Sequence, residues 1–213
     1  MTDNFSNYKA FIEKCGGLPD RNEKGNLDKY YVIELIRRGK DNPDLAAANY
    51  HFKNYYIYSW KDLDKYEKEI KEVCNLLRLR AYCSVNYKMM SQVSLDTVAE
   101  SVRRIAAHDF KKFYSIFESC SGQYVDHCDA KWIVDVDDDF NRERIPDLMD
   151  YIGKMKSKHS DNPIFVMPTK SGIHLICNPF NLAQFNSSFA DAFPECKLPD
   201  IKKNHLTLLY ENL

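Results

Sequence analysis

The sequence predicts an α/β chain, α+β in layout, with a sheet covered mainly on one face in each half. Short runs of β-branched and aromatic residues alternate with longer segments whose apolar residues recur at helical spacing. Their order reads strand, helix, strand, helix in the first part, then strand, helix, two strands, short helix, strands. The 213 residues, 44% hydrophobic and 29% charged, are enough to bury a core and unlike a disordered chain.

Residues 1–27 are polar, carry Gly16-Gly17, Pro19 and Gly25, and read as a loose lead-in with one short helix. Lys29 to Arg38 is rich in β-branched and aromatic residues and reads as a strand, closed by a turn at Gly39 to Pro43. Tyr55 to Tyr58 is a second strand. Ser59 and Asp62 have capping-box form, and Leu63, Tyr66, Ile70, Val73 and Leu77 fall on one helical face behind them. Leu79 to Tyr87 reads as a third strand. Its alternation puts Arg80, Tyr82, Ser84 and Asn86 on one face, which suits either a ligand cleft or an edge strand facing water. Ser94 is expected to cap a helix with Leu95, Val98, Val102 and Ile105 as its apolar stripe. A short helix over Phe110 to Phe117 is expected to break at Ser121-Gly122.

Lys131 to Asp139 (KWIVDVDDD) is the stretch around which the chain is organised. An apolar strand runs straight into acids. Alternation puts Asp135 and Asp137 on one face, about two strand rises or 6–7 Å apart. Two carboxylates so spaced suit one or two hard cations such as Mg²⁺ or Mn²⁺. Left unneutralised at the end of a buried strand they would be costly. Asp138 and Asp139 read as an acidic loop. Pro146 then opens a helix with Ile145, Leu148, Met149, Ile152 and Met155 inward. Ile164–Met167 and Ile173–Cys177 form a hairpin around Thr169-Lys170-Ser171-Gly172. In that turn Gly172 permits close backbone approach, while Lys170, Ser171 and His174 offer a charge, a hydroxyl and an imidazole to phosphate oxygens. A Phe-rich segment spans Leu182–Phe193, and strands near Leu198–Lys202 and Leu206–Tyr210 close the chain. The second half reads as a split βαβ unit with antiparallel additions.

Three pieces in order resemble the archaeo-eukaryotic primase superfamily: Ile133-Val134-Asp135-Val136-Asp137, then Gly172-Ile173-His174, then Asp200. The resemblance covers about residues 130–210. It departs at the third piece, where Pro199 precedes Asp200; Glu211, after Leu208-Leu209-Tyr210, is the competing acid. The resemblance implies one two-lobed catalytic unit over 1–213, with a C-terminal half like an RNA-recognition module and the site between the halves. The boundary falls near 108–125, giving an N-terminal lobe over 1–115 and a metal- and nucleotide-binding lobe over 116–213. It implies nucleotide transfer from nucleoside triphosphates on a single-stranded template, with a helicase or other replication protein supplied separately. Asp135, Asp137 and Asp200 would be the catalytic acids holding two Mg²⁺ or Mn²⁺ ions across the triphosphate and the attacking 3′-hydroxyl. Lys170, Ser171, Gly172, His174, Arg80 and Asn86 would bind the nucleotide.

Other classes use some of these features. A glycosyltransferase can hold a metal–nucleotide-sugar complex on Asp-x-Asp, but 213 residues is short for one. His205-Leu206-Thr207 suggests a two-His-x-Thr phosphodiesterase, but the second motif is absent because Leu175-Ile176 follows His174. A non-catalytic module that keeps the fold and binds nucleic acid or protein is the third class. The formal net charge of −1 restricts nucleic-acid binding to a local basic patch, for which Arg37-Arg38, Arg103-Arg104, Lys111-Lys112 and Lys202-Lys203 are candidates. The seven cysteines include no CxxC pair. They read as a reduced, intracellular set, and no zinc is expected from Cys120 with His127-Cys128. No signal peptide or apolar membrane span is expected.

Overall fold

The computed structural model describes residues 1–19, 28–44, 49–125, 129–155 and 162–212. His127, Cys128 and Gly25 lie outside them. The chain is mixed α/β with two antiparallel sheets. No described helix is long and apolar enough to cross a membrane.

The first sheet has the order β1 (Thr2–Asp3), β10 (Leu206–Glu211), β4 (Arg80–Ser84), β2 (Lys29–Arg37), β3 (Tyr50–Ile57), with β5 (Lys88–Met89) beside β2. Ile33, Leu35, Ala81 and Cys83 point to one face and are fully buried. Helices α1 (Phe5–Lys14) and α2 (Trp60–Leu77) cover that face. Ser59 caps α2 by accepting from the Asp62 N–H, while Asp62 Oδ2 accepts from the Ser59 hydroxyl, so the capping box forms as its sequence predicts.

The N-terminal segment is not a loose lead-in. Phe5, Tyr8, Phe11 and Ile12 share one face of α1 and are buried at the centre of the core. Burial of such side chains contributes about 1.5–3 kcal/mol each. Asn4, just before the helix, donates through Nδ2 to the carbonyls of Pro168 (2.7 Å) and Leu208 (2.9 Å), and so ties the two sheets together.

The second sheet has the order β7 (Phe165–Thr169), β8 (Gly172–Cys177), β6 (Trp132–Asp137), β9 (Asp200–Lys202). With α5 (Ile145–Lys154) between β6 and β7, and α6 (Leu182–Ala192) between β8 and β9, this is a split βαβ unit with antiparallel partners. Val134 and Val136 point to the helical side, into a core with Phe140, Leu148, Ile152 and Phe185. Ile133 and Ile176 point the other way and are buried in the core of the first sheet. The sheets are therefore joined at the start of β6 and part towards its end, where Asp135 and Asp137 stand.

The lobes do not follow the expected sequence boundary. Helix α4 (Ile116–Gln123) packs on α3 (Met90–Ala106), and β10 returns to the middle of the first sheet between β1 and β4. The second unit is residues 132–202 rather than 116–213. Ser121 and Gly122 lie inside α4 instead of breaking a helix. Helix α3 starts at Met90, so Ser94 is not its cap. Its apolar stripe is exposed rather than buried.

Candidate functional site

β6 pairs with β8 on one side and β9 on the other, and directly opposed residues on antiparallel strands share a face. Asp135 is opposed by His174 on β8 and by Asp200 on β9, and Asp137 is opposed by Gly172. Residues from all three sequence pieces thus reach one face of one sheet. The register of three strands brings them there.

Gly172 is required by this pairing. Its φ is +143°, and a Cβ at that position would lie 2.1 Å from the Val136 carbonyl oxygen. The close approach seen here is to the neighbouring strand. The turn before it puts Lys170 and Ser171 at the rim of a cavity of about 440 Å³.

That cavity lies between the sheets. Asp135, Asp137 and His174 line it from the second, with Lys202. Arg38, Lys40, Arg80, Tyr82 and His205 line it from the first sheet and its connections. Two carboxylates therefore share the cavity with five basic side chains, counting Lys170, of which Arg80, Lys170 and Lys202 are already paired with acids and Arg38 and Lys40 stand without an acid partner among the described residues of the lining. Asp200 stands just outside, in a smaller hollow shared with Asp135 and Asp137.

Asp135 is the most tightly held acid. His174 Nε2 lies 3.1 Å from its Oδ1, and Lys202 Nζ contacts its Oδ2. A carboxylate only accepts, so Nε2 carries the proton, and in the neutral ring Nδ1 accepts from the Thr207 hydroxyl at 2.9 Å. The His174 hydrogen bond, with Lys202, holds the Asp135 carboxyl well below the usual carboxylate range, against the opposing effect of burial. Both His174 nitrogens are thereby engaged, one within its own sheet and one on β10 of the other.

Two predicted nucleotide-binding residues have other duties. Asn86 is buried and clamps the start of β6: its Nδ2 donates to the Lys131 carbonyl at 3.1 Å, and its Oδ1 accepts from the Lys131 N–H at 2.6 Å. It does not line the cavity. Arg80 does line it, but its guanidinium is paired with Asp41 at 2.7 Å and Glu211 at 3.1 Å, all three side chains being almost wholly buried. Glu211, committed to Arg80, leaves Asp200 as the third acid on the face of Asp135.

Sequence reasoning missed Asp41. It sits in the turn after β2, accepts from Arg80 and, at 3.2 Å, from Lys170, and so links the phosphate-type turn to the first sheet. Burial alone would raise its pKa; these two cations prevail and lower it. No local pattern marks such a residue. Lys202 and Arg38 were visible only as members of basic pairs.

The oxygen donors Asp135, Asp137 and Asp200 are the type that hard divalent cations take. Among the described residues, however, no group of three or more His, Cys, Asp or Glu side chains converges closely enough to hold a metal ion. Lys202 supplies positive charge at Asp135 instead. Comparison of the chain with protein-family models, curated proteins and solved structures finds no match.

Proposed function

We propose that this chain is a primase-like nucleotidyltransferase, moving a nucleotide from a nucleoside triphosphate to the 3′-hydroxyl of a primer or initiating nucleotide on a single-stranded template. The observation that carries the reading is the shared sheet face of Asp135, Asp137, His174 and Asp200, of which the first three line a cavity that also holds basic side chains. The split βαβ order of the second sheet, like that of an RNA-recognition module, supports the same reading.

In this reading Asp135, Asp137 and Asp200 would be the residues to hold Mg²⁺ or Mn²⁺. Bound there, a divalent cation supplies Lewis-acid neutralisation of charge on the triphosphate and the attacking oxygen. The chain's own residues do the rest. Lys170, Lys40, Arg38 and the Ser171 hydroxyl bind and orient the phosphates. His174 fixes the Asp135 carboxylate and keeps it ionised. Its donor is spent there, so its role is positioning rather than the direct phosphate contact expected from sequence. The 3′-hydroxyl oxygen attacks the α-phosphorus and gives up its proton to solvent water, the bond to the bridging oxygen breaks, and pyrophosphate leaves. No side-chain nucleophile takes part.

A second reading rests on Lys202. A lysine already paired with Asp135 suits a nucleotide- or nucleic-acid-binding module that needs no cation. One experiment separates the two. Labelled nucleoside triphosphate is titrated with and without Mn²⁺, and incorporation on a primed single strand is followed, for wild type, Asp135→Asn and Asp137→Asn. The enzyme reading expects metal-dependent binding, and incorporation lost by more than about a hundredfold in each variant. Metal-independent binding with no incorporation in wild type leaves only the binding module.

A further inference from the structure

Helix α3 is built inside out. Its inward side meets the body through half-buried Met90 and through Val93, the only fully buried residue of its 17, and then through Thr97, Glu100, Ser101 and Arg104, which are polar. The Thr97 hydroxyl bonds back to the Val93 carbonyl, and Glu100 is tied up by Arg103 and Arg104. The apolar residues face water: Leu95 is 65% exposed, Val98 62%, Val102 61% and Ile105 52%. A helix of this length is marginal on its own, and most helices in proteins are held by packing of an apolar face. Here that face is unpacked.

The four residues are spaced three, four and three apart, which is the seam of a two-heptad coiled coil. On either side of the seam stand Ser94, Ala99, Ser101 and Ala106. They are small, so a second backbone can come close. They are also uncharged, and Arg103 and Arg104 are both paired with the helix's own Glu100. The edges of the seam thus lack the charges by which coiled coils select an unlike partner. What the stripe complements is itself. Turned through a two-fold axis across the middle of the helix, Leu95 of one copy meets Ile105 of the other and Val98 meets Val102, with the two helix dipoles opposed. The four side chains and their small neighbours make an apolar strip of roughly 500 Å² per copy, about 1,000 Å² for the pair, which is the lower bound for a specific interface.

We propose that a second copy of this chain covers the stripe, giving a two-fold dimer through antiparallel α3 helices. An interface at the lower bound of size is expected to give a dimer that dissociates on dilution. The inference is independent of the chemistry in the cleft.

Sedimentation equilibrium of the full chain tests it. Wild type is expected to pass from the 25.0 kDa monomer to twice that mass as concentration rises. Val98→Asp with Val102→Asp is expected to remain monomeric, with an unchanged far-ultraviolet circular dichroism spectrum because both positions already face water. Register is tested separately. Leu95→Glu alone and Ile105→Lys alone are expected to weaken the dimer. The two together in one chain are expected to restore it in a salt-sensitive form, since the new carboxylate of one copy then meets the new ammonium of the other. If the aspartate pair unfolds the chain, this charge pair carries the test. Wild type that stays monomeric at every concentration, a dimer that survives the aspartate pair in folded protein, or no rescue by the charge pair would each overturn the proposal.

Discussion

Asp135 and His174 are cross-strand partners, and the imidazole holds the carboxylate at 3.1 Å from a strand whose other face packs into the helical core through Leu175 and Cys177. The contact fixes the ionisation state of the acid that stands deepest in the cleft.

It also gives the chain a pH signature. The folded pKa of Asp135 is depressed, so its contribution to stability is present above the unfolded carboxylate range and is lost as pH falls below it, through the lower folded value. Asp135→Asn should cost about 1.5–3 kcal/mol near neutral pH, the value of a hydrogen bond to a charged group. The cost should shrink steadily below about pH 4. Urea unfolding of both proteins across that range measures it. A gap that stays constant with pH would mean that the carboxylate charge contributes nothing to the fold.

Gly172 allows a sharper test of the strand pairing. Alanine there must hold a φ of +143° and push its Cβ against the Val136 carbonyl. Backbone strain and overpacking each cost about 1–3 kcal/mol, so Gly172→Ala should lose roughly 3 kcal/mol or more, or shift the hairpin out of register. A variant as stable as wild type would show that β8 does not lie against β6 as described.

Asn86 separates a structural role from a binding one. Asn86→Ala leaves the Lys131 N–H and carbonyl without their partners, at a cost of about 1–3 kcal/mol. Nucleotide affinity, measured well below the melting temperature, should not change. A fall in affinity of about tenfold or more without loss of stability would return Asn86 to the binding site.

The parts of this site that could be read in the sequence are the local ones. Alternation within a strand put Asp135 and Asp137 on one face, and the hairpin around Gly172 follows from turn chemistry over a dozen residues. Long-range pairings leave no such trace. Nothing near Asn86 announces Lys131, and nothing in Leu206–Tyr210 says that the strand crosses back between β1 and β4 instead of extending the second sheet. In α3 the periodicity was real, and the stripe it marks faces water. A repeat of apolar residues marks a face and does not say what covers it. The core role of α1 was legible in principle from Phe5, Tyr8, Phe11 and Ile12, but the surrounding polar residues and the two glycines obscured it.

In the enzyme reading proposed above, Lys202 would compete with a cation at Asp135. It occupies Asp135 Oδ2, and a divalent ion bound to the same carboxylate would feel its charge. Near a protein surface two unit charges about 4 Å apart interact by about 4 kcal/mol, reduced here because the lysine is partly solvated. Replacing it with methionine keeps the length of the chain and removes the charge. Lys202→Met should therefore bind Mn²⁺ more tightly, by about tenfold or 1.4 kcal/mol. Lys203→Met is the control. That ammonium lies 5.0 Å from the centre of the Trp132 ring, and its loss should leave metal affinity unchanged. Isothermal titration of Mn²⁺ into the three proteins gives the answer. Equal or weaker binding in Lys202→Met would mean that Lys202 does not compete for the metal position, and that the acids on this face are held as anions for some purpose other than a cation.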